Sequence, residues 1–155
     1  MNRTDTADGV LTAVQAALAA EHAAVYGYGV AGAGVGEGRA GEAAAAHGAH
    51  RARRDALARA VRDLGGEPVA AAPAYALPFP VRDAEAAVRL AVFLEERVAG
   101  VCSDLVRAAE GPLRREAAAA LREAAVRAAR WRGGGVAFPG LAERGERAGA
   151  VEPAG

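Results

Sequence analysis

The chain has 155 residues, enough for one domain around a single core, and its 19 basic and 19 acidic residues cancel to a formal net charge of +0. That balance removes the usual electrostatic basis for nucleic-acid binding. The single cysteine, Cys102, excludes an intrachain disulfide framework and fits a reducing compartment.

Four long segments lack an interior proline and carry helical periodicity. The first runs from about Asp8 to Ala33, with Leu11, Val14, Leu18, Val25 and Tyr28 spaced by threes, fours and a double turn, and with Thr6 or Asp8 as its cap. The second runs from about Arg39 to Leu64 and stops at Gly65-Gly66. On it, His47 and His50 share a face with Leu57, Val61 and Leu64. The third follows Pro80, with Asp83 as cap, and carries the stripe Ala87, Ala91, Leu94, Val98, Val101 and Leu105 toward Glu110. The fourth opens at Pro112, a residue suited to the first helical turn, and ends at Arg132 before three glycines. No stretch alternates as a strand does. The bundle is therefore assigned to residues 8–132, and residues 133–155 form a Gly/Glu/Arg-rich tail, ordered in part near Phe138 and frayed beyond.

The connections set the topology. The first two helices are joined by the short stretch Gly32 to Gly38, and the last two meet at Gly111-Pro112, so each pair is an antiparallel hairpin. A helix of about 26 residues is roughly 39 Å long, and the connection from Gly65 to Arg82 can span at most about 60 Å when extended. It can cross the whole bundle and return the third helix parallel to the second. One long crossover between two helical hairpins is the ferritin-like four-helix arrangement. Its apolar stretch, Pro73-Ala74-Tyr75-Ala76-Leu77-Pro78-Phe79-Pro80, is expected to pack on the bundle.

The segments Glu21-His22-Ala23-Ala24-Val25-Tyr26-Gly27-Tyr28-Gly29, His50-Arg51-Ala52-Arg53-Arg54-Asp55, Pro73 to Val81, Leu94-Glu95-Glu96-Arg97 and Arg127-Ala128-Ala129-Arg130-Trp131 resemble a family of ferritin-like domains, domain-of-unknown-function family 4439. The resemblance covers roughly residues 10–132. It implies the bundle, but the family brings no established activity with it.

Di-iron ferritin-like proteins take a Glu from each of two helices and a Glu-x-x-His from each of the other two. Here the first helix offers Glu21, flanked by His22, and the third offers Glu95, in register with Val88, Val92, Ala99 and Cys102. The second has His47-Gly48-Ala49-His50, with a histidine where the Glu belongs. The fourth has Glu123, followed four residues later by Arg127, and no histidine. One motif is altered and the other lost. Arg54, one turn beyond His50, and Arg127 can pair with carboxylates but cannot ligate a metal. The expectation is an ionic core of Glu21, Arg54, Glu95, Glu123 and Arg127, in which Arg54 and Arg127 neutralise Glu21 and Glu95. No cofactor and no catalytic residue is assigned, and the role is structural or binding. The alternative is a metal site on Glu21, His22, His47, His50 and Glu95 for zinc, iron or manganese. An iron- or manganese-dependent oxidoreductase or iron-handling protein would then use Glu21, His50 and Glu95. The plainer reading of His47 and His50 is that helix neighbours and the Gly32–Gly38 loop accept their hydrogen bonds near a bundle end.

Gly27 and Gly29 either mark close helix packing or an early helix end, or they open a small-molecule pocket beside Tyr26 and Tyr28. Cys102 reads as a small core residue, and the arginines from Arg114 to Arg132, interleaved with Glu116 and Glu123, as a solvated helix face. Hydrophobic residues make up 52% of the chain, but much of this is alanine and there is no isoleucine. Alanine helices bury little apolar area each, which favours close packing or burial in a homo-oligomer, in the simplest case a homodimer. The opening residues MNRTDTADGVL have no signal-peptide core, and the uncharged runs at 23–36 and 68–81 are too short and too rich in Gly or Pro to span a bilayer. A cytoplasmic protein without a membrane segment is expected.

Overall fold

The computed structural model describes residues 3–133, and among these it holds four helices and no strand. They are α1 (Arg3–Gly34), α2 (Glu37–Asp63), α3 (Ala84–Ala108) and α4 (Gly111–Arg132). The chain is all-α. No described helix is long and apolar enough to cross a membrane. The tail expected to order near Phe138 lies outside the described residues.

Each boundary has a local cause. α1 starts at Arg3, earlier than the caps Thr6 and Asp8 read from the sequence. No proline interrupts the opening stretch, so the helix extends back through both residues. Gly36 separates α1 from α2 at φ 83°, a backbone shape that other residues rarely adopt. Asp83 caps α3, its side chain accepting a 2.7 Å hydrogen bond from the Ala86 N–H. Pro112 occupies the first turn of α4, where no intrahelical N–H partner is lost.

The core is layered along the bundle axis. One end gathers Tyr28 and Ala31 of α1 and Val35 just after it with Ala43 and Ala46 of α2, Ala87, Leu90 and Leu94 of α3, and Trp131 of α4. The other gathers Val14 and Leu18, Leu57 and Val61, Leu105, and Ala117. The start of α2, the start of α3 and the end of α4 thus share the end at which α1 finishes, and α2 runs parallel to α3. Leu64, expected on the buried stripe of α2, is 41% exposed because the helix has already ended.

The segment between α2 and α3 follows α1 from one end to the other. Gln15 donates to the Glu67 carbonyl at 2.6 Å and accepts from the Val69 N–H at 2.9 Å. His22 contacts the Val69 carbonyl at 3.0 Å, and Tyr75 packs on Tyr26 with ring centroids 5.5 Å apart. Leu77, Phe79 and Val81 then pack on the Tyr28–Trp131 cluster.

α1 passes unbroken through Gly27 and Gly29, so neither ends it. A Cβ at Gly27 would lie 2.6 Å from Leu94 Cδ1, whereas one at Gly29 would meet nothing within 4 Å. Gly27 is a close-packing position and Gly29 is not. Gly29→Ala should therefore raise stability by up to about 1 kcal/mol through helix propensity. Gly27→Ala must push Leu94 aside, and overpacking of this kind costs about 1–3 kcal/mol. Urea unfolding of the two variants should move in opposite directions; equal shifts would contradict the packing argument.

Candidate functional site

Midway along the bundle, three polar side chains are shut away from solvent: Glu21 from α1, His50 from α2 and Glu95 from α3, each no more than 2% exposed. Their positions follow from helical register. Glu21 lies one turn beyond Leu18, His50 two turns before Leu57, and Glu95 one turn before Val98 and Ala99, all core residues.

His50 lies between the two carboxylates. Its Nδ1 is 2.6 Å from Glu21 Oε2 and its Nε2 is 3.0 Å from Glu95 Oε1. A neutral imidazole would set one nitrogen lone pair against a carboxylate oxygen. The imidazolium donates at both positions. Burial opposes that charge, but the hydrogen bonds and charges of Glu21 and Glu95 outweigh it and raise the His50 pKa to about 9.

Glu95 Oε1 is the hub. Besides His50 it accepts from Tyr28 OH at 2.6 Å and from Arg127 Nε at 2.8 Å. Burial pushes the Glu95 pKa upward, yet the His50 bond and the His50 and Arg127 charges win and hold it below the usual carboxylate value. The other oxygen, Oε2, is buried with no hydrogen-bond partner among the described residues. Tyr28 OH in turn accepts from Trp131 Nε1 at 2.9 Å, and its ring stacks on His50 at 5.3 Å. Burial and the neighbouring Glu95 charge keep the phenol protonated.

A second tier holds Trp131. The Arg39 guanidinium sits 4.0 Å from the Trp131 ring centroid and donates to the carbonyls of Trp131 and Arg130 at 3.4 and 3.2 Å. Those carbonyls belong to the last turn of α4, where a cation also meets the negative helix end.

Two carboxylates are thus balanced by one imidazolium and one guanidinium. Both His50 nitrogens are committed to carboxylates, and Arg127 donates to Glu95 Oε1. Among the described residues no group of three or more His, Cys, Asp or Glu side chains could hold a metal ion.

The model of a family designated Domain of unknown function (DUF4439) matches residues 13–143. The chain belongs to the DUF4439 family. Among solved structures it is similar to the crystal structure of a conserved hypothetical protein, rv2844, from Mycobacterium tuberculosis. The identity is 38% and the TM-score 0.79, over 81% of this chain and 96% of that one. No curated protein matches it.

In this DUF4439 domain the residues singled out from sequence separate into two groups. Glu21, His50, Glu95 and Arg127 meet in the core. The others do not join them. Arg54 does not neutralise Glu21; it turns outward to Asp55 at 2.8 Å, and His50 takes the place assigned to it. Four residues beyond His50, Arg54 is rotated by about 40° around α2, and its long side chain carries the guanidinium out to where it stays hydrated. Glu123 is likewise not in the ionic core, pairing at the surface with Arg53 at 2.8 Å. His22 anchors the segment after α2, and His47 is half-buried on α2. His50 does not bond to the Gly32–Gly38 loop, because its register points it inward. Tyr26 and Tyr28 do not share a pocket: two residues apart on a helix, they diverge, Tyr26 to the surface against Tyr75 and Tyr28 into the core.

Tyr28, Trp131 and Arg39 complete the network and had no assigned part in it from sequence. Tyr28 stands seven residues after Glu21 and Trp131 four after Arg127, so both pairs fall on one helix face. That spacing was the available signal.

Proposed function

We propose that this DUF4439 domain is a metal-free, non-enzymatic ferritin-like bundle, acting as a structural or binding protein, in which a charged hydrogen-bond network replaces a di-metal centre. The observation that carries the reading is His50, held by both ring nitrogens between Glu21 and Glu95. A ligand histidine must offer a lone pair, and a doubly donating imidazolium has none. Arg127 supplies the second positive charge on Glu95.

The ferritin-like topology draws support from the segment after α2, whose contacts with Gln15, His22 and Tyr26 advance in order along α1. A path of that kind is the long crossover between two helical hairpins. The non-enzymatic part draws support from the chemistry of the site. His50 holds its proton, Tyr28 stays a phenol, and burial pushes the Cys102 thiol up to about 12. None of them offers a base or nucleophile at neutral pH. Pairing of two copies belongs to the same reading, since the buried core relies on many alanines.

The rival reading, iron or manganese on Glu21, His50 and Glu95, rests on Glu95 Oε2, the buried oxygen with no partner. Metal content distinguishes the two. Protein purified without chelator, then loaded anaerobically with iron, should hold only traces of metal after desalting. About two iron or manganese ions per chain, the complement of a di-metal bundle, would overturn the proposal.

A further inference from the structure

The bundle is not equally tight on all sides. The close helix pairings are α1 with α2, α1 with α3 and α3 with α4; α2 and α4 stand further apart. Between them lies a cleft of about 410 Å³. It extends from Ala49 to Ala60 on α2 and from Leu113 to Glu123 on α4, so its length is about 15 Å at the helical rise per residue. The gap has a simple origin. Ala52, Ala56 and Ala60 line it from one side and Ala117 and Ala120 from the other, and methyl groups cannot bridge helices held this far apart.

Cys102 stands on the cleft wall with Leu105, only 3% exposed, and its thiol makes no hydrogen bond among the described residues. Helical backbone around it has spent its own polar groups. Water in the inner part would meet a weak S–H donor and little else, and apolar spaces with so few partners favour an apolar occupant.

The rim sets the charge of that occupant. Arg53 is engaged by the Glu123 carboxylate at 2.8 Å and the Glu116 carbonyl at 3.3 Å. Glu116 and Glu123 against Arg53 leave one carboxylate in excess, so an anionic head group meets repulsion there.

We infer that the cleft between α2 and α4 binds an uncharged, elongated apolar molecule of the dimensions of a medium-length alkyl or acyl chain, with Cys102 on the binding wall. The inference is independent of the metal question, since no lining residue belongs to the Glu21–His50–Glu95 network.

Cys102 is the only cysteine, so its modification reports on the cleft alone. Because the buried, protonated thiol reacts slowly, the full chain is exposed to excess methyl methanethiosulfonate over many hours, with and without 1-decanol, and the slow labelling is followed by intact mass. At ten times its dissociation constant, decanol should slow the labelling about tenfold. Decanoate at the same concentration should slow it less. Ala56→Leu and, at the exposed mouth, Ala52→Leu narrow the cleft and should each weaken protection by decanol; the mouth position keeps the test alive if the deeper variant misfolds. Labelling indifferent to decanol would overturn the inference. So would equal protection by decanoate, or protection unchanged in folded Ala52→Leu.

Discussion

His50→Leu should destabilise the protein by about 3–5 kcal/mol at neutral pH, the cost of leaving a buried ion pair without one partner. The substitution keeps volume nearly constant, so a cavity contributes little. What it removes is the imidazolium that donates to Glu21 Oε2 and Glu95 Oε1. Glu95 keeps Arg127 and Tyr28, but Glu21 loses its buried partner. Two further measurements separate stranded charge from poor packing. A stranded buried carboxylate takes up a proton as the medium is acidified, so the deficit should shrink between about pH 7 and pH 5. Adding Glu21→Leu to His50→Leu should restore part of the loss, because the charge is then gone as well. Urea unfolding of the three proteins at both pH values tests this. A loss below about 1 kcal/mol, within the range of exposed pairs, would mean that water reaches Glu21 and that the core is not closed.

The network also shows what a sequence can and cannot convey. Helix number, the Asp83 cap and the stop at Gly65-Gly66 follow from local signals, and the structure places helix boundaries near those positions. Glu21 and Glu95 are recognisable as inward-facing from their apolar neighbours, and Arg127 from its spacing to Trp131. Which cation meets which carboxylate is a different kind of fact. Arg54 and Arg53 are adjacent on α2, and both stand within a turn of His50; pairing depends on a rotation of the helix that periodicity does not resolve. A shift of one residue rotates the side chain by about 100°. The result is that His50 faces inward, Arg53 reaches Glu123, and Arg54 turns to Asp55. Tyr28 is legible as an apolar-stripe residue, yet its hydroxyl bonds to Glu95, and beside it Gly27 admits Leu94 to close contact. The glycine is local in sequence. The contact that it permits comes from 67 residues away.

Stability should fall as pH rises from about 6.5 to about 9, by about 3 kcal/mol in all, and His50 should be the group responsible. The sign follows from proton binding. In the folded protein His50 holds its proton up to about 9, while the unfolded chain releases it near the ordinary histidine value of 6.5. The stabilisation is complete below the unfolded value and is lost as pH climbs through the folded one. Glu95 acts in the opposite sense. Its folded pKa lies below the ordinary carboxylate value of 4.5, so its contribution is present above that value and disappears on acidification. Together they place the stability maximum between the two windows, in mildly acidic solution. Other buried groups do not blur the alkaline limb. Cys102, raised from 9.0 to about 12, and Tyr28, raised from 10.0, favour folding less only once the pH exceeds their ordinary values. Unfolding in urea between about pH 6 and pH 9 therefore isolates the histidine. His50→Gln, which carries no titratable proton, should flatten that limb and also weaken the acid limb, since His50 helps to hold the Glu95 pKa down. A wild-type profile without the alkaline fall would mean that His50 is neutral in the folded protein. A neutral imidazole regains a lone pair, and the argument against a metal ligand at this position would fall with it.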